Sequence, residues 1–190
     1  MHIIRKASLV VALGLSLGTA MAGEIAGSTV LSTGAVNTSV GFLATARQNI
    51  GVAENNAKIT NSTVIVNGAT NTAAGFLATA TQSVGRATDN GKIENSVVLG
   101  QGLNNTAAGF LSTATQEVGF AKGNGVVQNS LVMANGASNI AGGFLATATQ
   151  QIGGASGNGK LQNSTVIATG SFNSAGGFLA TAEQRIGVAR

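Results

Sequence analysis

Along this chain, positions that hold one residue type alternate with positions that do not. Within residues 69–84, Ala69, Asn71, Ala73 and Gly75 recur in neighbouring segments, whereas Thr70, Thr72 and Ala74 vary. Ala78, Ala80, Gln82 and Val84 recur again, whereas Thr81 and Ser83 vary. A period of two is the mark of a strand with one constrained face and one free face. A helical alternative exists, because Leu77, Ala80, Val84 and Ala87 are spaced three, four and three. Gly75 and Gly85 bracket that stretch and threonines lie within it, and both residue types lower helix propensity. The pattern therefore predicts strands.

The recurrence has a fixed length. Asn61, Asn95, Asn129 and Asn163 each open an Asn-Ser pair and lie 34 residues apart, and Gly27-Ser28 holds the equivalent place one period earlier. Five units follow without insertion or deletion: 27–60, 61–94, 95–128, 129–162 and a shorter 163–190. Repetition of this kind is to be read before any local motif. In one unit the pattern predicts a strand over 93–98, a turn at Gly102, a second strand over 105–108, a third over 111–118 and a return loop over 119–125. One unit as one geometric step gives an all-β fold, a β-solenoid of stacked cross-β rungs.

Stacking would set equivalent residues about 4.8 Å apart. Asn37, Asn71, Asn105, Asn139 and Asn173 would then form an amide ladder. Gln48, Gln82, Gln116, Gln150 and Gln184 would form a second, and Phe42, Phe76, Phe110, Phe144 and Phe178 an aromatic row. Valine recurs at Val30, Val64, Val98, Val132 and Val166, and glycine at Gly34, Gly68, Gly102, Gly136 and Gly170. Thr45, Thr79, Thr113, Thr147 and Thr181 would form an outward row.

Composition fits a solenoid better than a conventional core. There are 28 glycines, no proline, cysteine, tryptophan or tyrosine, and only 8% charged residues. Large apolar side chains are scarce, so backbone hydrogen bonds and close stacking of small side chains must carry the fold.

The first 22 residues stand apart from the repeat. Arg5 and Lys6 precede an apolar run over 9–17, and Ala20-Met21-Ala22 gives the small-x-small pattern of a signal peptidase site. The apolar run falls short of the roughly 20 residues a membrane span needs. The expected organisation is a signal peptide over 1–22 and a repeat domain over 23–190, placing the mature protein outside the cell of a bacterium. Loss of Arg5 and Lys6 takes the formal net charge of +4 to +2. The basic residues are scattered singly with no aromatic interleaving, so nucleic acid is not an expected partner.

Candidate chemistry is sparse. His2 is the one histidine and lies in the leader. A mature chain without histidine or cysteine lacks the usual triads and zinc sites with nitrogen or sulfur ligands. Ser62 and Ser96 have no candidate base and read as strand or turn residues. The expectation is a non-enzymatic protein with no cofactor and no metal.

The ends of the stack bear on function. The segment 23–26 is too short to cover a rung, and the last unit keeps its valine, glycine, asparagine, phenylalanine and glutamine. Open strand edges favour polymerisation, each copy continuing the ladders of the one before. Arg47 and Glu183 share one repeat slot, and Glu54 and Arg190 share another, so stacking the last rung of one copy on the first of the next would juxtapose opposite charges. Exposed pairs of this kind are worth only ~0–1 kcal/mol each.

The string Ser-x-Val-x-x-x-Gly-x-x-Asn-x-Ala, followed by a recurring glutamine, resembles the repeats of curlin, the curli amyloid subunit, and is similar to those of the Fap amyloid family. The resemblance implies a self-assembling subunit of extracellular biofilm fibres, with itself as main partner, a nucleator subunit, and a dedicated outer-membrane export pore. The alternatives are a monomeric β-solenoid adhesin or an ice-binding protein that uses the threonine row. If the leader reading is right, N-terminal sequencing of the secreted chain will begin at Gly23; retention of residues 1–22 would reject it.

Overall fold

The structure, a computed structural model, describes residues 23–190; the leader expected over 1–22 lies outside them. The described residues form twenty strands and no helix. The first turn consists of β1 (Glu24–Ala26), β2 (Thr29–Thr33), β3 (Val36–Val40) and β4 (Leu43–Ile50). The same four-strand turn repeats as β5–β8 (Lys58–Thr60, Thr63–Asn67, Thr70–Ala74, Leu77–Val84), β9–β12 (Lys92–Glu94, Val97–Gln101, Asn104–Ala108, Leu111–Gly119), β13–β16 (Val126–Gln128, Leu131–Asn135, Ser138–Gly142, Leu145–Gly153) and β17–β20 (Lys160–Gln162, Thr165–Thr169, Phe172–Gly176, Leu179–Gly187). Equivalent strands pair in parallel in four five-stranded sheets: A from β1 to β17, B from β2 to β18, C from β3 to β19 and D from β4 to β20. The register offset is 34 residues, as in Val98 beside Val64 and Val132, or Gln116 beside Gln82 and Gln150. This is a β-solenoid of five turns.

Each turn has four strands, where the sequence pattern suggested three. The segment 93–98 is not one strand: β9 (Lys92–Glu94) stops before Asn95, and β10 (Val97–Gln101) starts a new sheet. Asn95 has φ near 50°, as do Asn61, Asn129 and Asn163, with Gly27 in the first turn. Asparagine tolerates this left-handed conformation better than other residues with a Cβ, so the Asn of each Asn-Ser pair bends the chain from sheet A into sheet B. Gly68 (φ 69°) and its equivalents then turn B into C. The segment 23–26 is also structural: β1 pairs with β5 and completes the first turn.

The recurring positions face inward. Ala69, Asn71, Ala73, Ala78, Ala80, Gln82 and Val84 are all buried. Residue size shapes the interior. Between B and D the filling is aliphatic, with Val64, Val66, Val98, Val118, Val132, Leu103 and Ile152. Between C and D the apolar filling is alanine, including Ala73, Ala80, Ala107 and Ala114, so these sheets approach closely. Ile59, Ile93 and Val127 on sheet A pack against Ala57, Ala87, Ala121 and Ala155 of the D-to-A connection.

The glycine before each C-to-D corner marks the tightest approach. A Cβ at Gly109 would lie 1.8 Å from the carbonyl oxygen of Gly75, and the same overlap occurs at Gly75 and Gly143. The obstruction is backbone of the adjacent turn, which cannot retreat without breaking the ladder. Gly109→Ala should therefore destabilise by about 3 kcal/mol or more. Gly157, with nothing within 4 Å of its would-be Cβ, should accept alanine with no loss, or a gain of up to ~1 kcal/mol. Urea unfolding of the two variants checks this contrast.

Candidate functional site: the stacked ladders and the end rungs

The asparagines of sheet C point inward, and Asn71, Asn105 and Asn139 are fully buried. Each donates from Nδ2 to Oδ1 of the asparagine one turn towards the C-terminus, from Asn37 through to Asn173, at 2.8 Å. The same nitrogen reaches two backbone carbonyls across the interior. For Asn105 these are Ala80 at 3.1 Å and Thr115 at 2.9 Å. The amide thus bonds sheet C to sheet D as well as one turn to the next.

The glutamines of sheet D form a second buried ladder that runs the other way. Gln82, Gln116, Gln150 and Gln184 each donate from Nε2 to Oε1 of the glutamine one turn towards the N-terminus, at 2.5–2.7 Å. They also reach carbonyls at the B-to-C corner, as Gln150 does with Ala137 at 3.0 Å. Both ladders obey the rule that a buried amide must be satisfied. Their donor directions are opposed along the axis.

On the outer surface, Phe42, Phe76, Phe110, Phe144 and Phe178 stack with centroids 5.0–5.2 Å apart and planes within 10° of parallel. They mark the corner between C and D. Thr45, Thr79, Thr113, Thr147 and Thr181 are exposed in one outward column of sheet D. Arg47 and Glu183 occupy the two ends of the adjacent column, with Thr81, Thr115 and Thr149 between them. Glu183 already pairs with Arg185 of its own strand. Glu54 lies in the first D-to-A connection and Arg190 in the equivalent place after β20.

Two further ladders were not apparent from the sequence. The serines of the Asn-Ser pairs are structural links: the Ser28, Ser62, Ser96 and Ser130 amides each donate to Oγ of the serine one turn on, at 3.1–3.2 Å. Each hydroxyl turns to the carbonyl two residues back, at 2.7–2.8 Å. In the D-to-A connection, Asn90 donates to Asn124 at 3.1 Å and Asn124 to Asn158 at 3.2 Å, on the surface. The signal was there in the recurrence of Asn56, Asn90, Asn124 and Asn158. One local ion pair also lies outside the repeat pattern: Lys122 Nζ is 2.7 Å from buried Glu117 and sits over the Phe120 ring.

On sheet D the last turn exposes its inward alanines, whereas Ala44 and Ala46 of the first turn are buried. Ala146 and Ala148 are buried in the fourth turn, but their counterparts Ala180 and Ala182 in the fifth are exposed. All four sheets have their edge strands at the same two ends. Among the described residues, no donor reaches Asn37 Oδ1 at one end and none reaches Gln184 Oε1 at the other. Also among the described residues, no group of three or more His, Cys, Asp or Glu side chains could hold a metal ion. No known family model, curated protein or solved structure matches the chain.

The buried and exposed ladders should respond differently to mutation. Asn105→Leu leaves buried Asn139 Oδ1 without its donor and takes one partner each from Asn71 Nδ2 and the Ala80 and Thr115 carbonyls, and should cost roughly 3 kcal/mol or more. Asn90→Gly on the surface, which keeps the positive φ of 55° and removes only the amide, should cost well under 1 kcal/mol. Chemical denaturation of the two variants is the measurement.

Proposed function

We propose that this protein is a secreted structural subunit that stacks head to tail into extracellular fibres, of the kind that build a biofilm matrix or surface appendage. The observation that carries the reading is the chemical complementarity of the two end turns. The first turn offers an open acceptor, Asn37 Oδ1, and an amide donor, Gln48 Nε2. The last turn offers the reverse, with Asn173 Nδ2 as donor and Gln184 Oε1 as open acceptor. Placed last turn on first, Asn173 donates to Asn37 of the next copy and Gln48 donates back to Gln184. All four sheets continue in parallel, and Phe178 (77% exposed) covers Phe42 (69%), as the inner rings cover one another. Placed first turn on first turn, Asn37 Oδ1 meets its own copy, acceptor against acceptor.

Two weaker features point the same way. The junction sets Arg47 of one copy near Glu183 of the preceding one, although Glu183 is shared with Arg185. Neither end strand is blunted by proline, which the chain lacks. The curlin resemblance adds an export pore and a nucleator as partners of this same reading.

Cross-linking tests both the assembly and its direction. The Cα positions of Thr45 and Thr181 in adjoining copies would lie about 4.8 Å apart, within disulfide range. A mixture of Thr45→Cys and Thr181→Cys chains should form mixed disulfide-linked dimers on oxidation, and fibre diffraction should show the ~4.8 Å meridional spacing. A stable monomer at high concentration rejects the reading in favour of a monomeric adhesin. Efficient linking of Thr45→Cys chains to one another rejects the head-to-tail direction.

A further inference from the structure

Charge is unevenly distributed around the solenoid. Every charged side chain of residues 23–190 lies on sheet A, on sheet D or in the connection between them and at its last-turn equivalent: Glu24, Lys58, Lys92, Glu94 and Lys160 on A, Arg47, Glu117, Glu183 and Arg185 on D, and the rest in the connection. Sheets B and C and the corner leading into D carry none in any turn. On this uncharged side stands the most apolar exposed feature of the molecule. The phenylalanine row is 44–77% exposed, and Leu43, Leu145 and Leu179 beside it are 37–69% exposed. Val40, 76% exposed, extends the patch in the first turn.

We propose that this Phe-Leu corner is a lateral contact that pairs one fibre with a second fibre of the same chain. The proposal rests on the head-to-tail reading, because only stacked copies make the row continuous. Three observations select a second copy as the occupant. The ring spacing of 5.0–5.2 Å can be matched ring for ring only by a partner that repeats at that step, and another copy does so by construction. The absence of charge makes the side self-compatible, since like charges directly opposed are destabilising. It also counts against a lipid surface, which is recognised through basic side chains and interfacial Trp or Tyr, and the chain has no Trp or Tyr.

Area sets how the contact must behave. The rings and adjoining leucines of one chain expose on the order of 500–800 Å², at or below the ~800 Å² per partner of a standard stable interface. Single chains therefore associate weakly through this corner. In a fibre the contact recurs with every copy, so pairing strengthens with length.

Electron microscopy of fibre width tests this. Wild-type fibres should run as pairs of protofilaments. Phe76→Ser/Phe110→Ser/Phe144→Ser chains should give single protofilaments of about half the width. Ala108→Lys should do the same with the aromatic row intact, since it places one charge per chain on exposed sheet C beside Phe110. It decides the matter if the triple variant fails to fold, as judged by loss of the far-ultraviolet β signal. Single protofilaments in the wild type, or pairs that survive Ala108→Lys, overturn the lateral contact and leave head-to-tail assembly standing. Absence of wild-type fibres overturns both.

Discussion

In a parallel, in-register stack each side chain sits about 4.8 Å above and below its own counterpart, so it must be compatible with copies of itself. Few residue types satisfy that condition when buried. A primary amide does, because it carries donor and acceptor together, and a serine does when its hydroxyl accepts from the next backbone amide. Aromatic rings stack, and small aliphatic groups pack. A buried charge cannot repeat this way, and the charges here lie on sheets A and D and their connection. The same condition explains the strict period: one inserted residue would turn every inward side chain of a strand outward.

Residue size converts this stacking rule into shape. Alanine between sheets C and D lets the two backbones approach until asparagine Nδ2 spans from one to the other, as Asn105 does to Thr115 at 2.9 Å. Valine and isoleucine hold B and D further apart and supply the apolar burial. The glycine before each phenylalanine makes way for the carbonyl of the turn before. Fold and assembly reading thus draw on one set of contacts, because a junction between copies would repeat what already joins turn to turn.

Much of the fold could be read from the sequence because self-stacking leaves a direct trace: positions that face their own copies keep their identity. That trace marks the inward side of Ala69, Asn71, Ala73 and Gln82 without any knowledge of the structure. It does not mark corners. Asn95 recurs as faithfully as a buried residue, yet its role lies in a positive φ, and so recurrence alone predicts one strand where the chain bends from sheet A to sheet B. The serine links were hidden because their partners are backbone groups, including an amide a full period away. The Glu117–Lys122 and Glu183–Arg185 pairs sit where units differ, and recurrence is silent there.

The opposed amide ladders have an electrical consequence. A row of amides bonded donor to acceptor is a line of aligned dipoles, each polarising the next. The asparagine line points its positive end towards the last turn and the glutamine line towards the first. Side by side in the same interior, the two largely cancel. However many turns such a stack has, its two buried amide rows together add little net dipole along the axis.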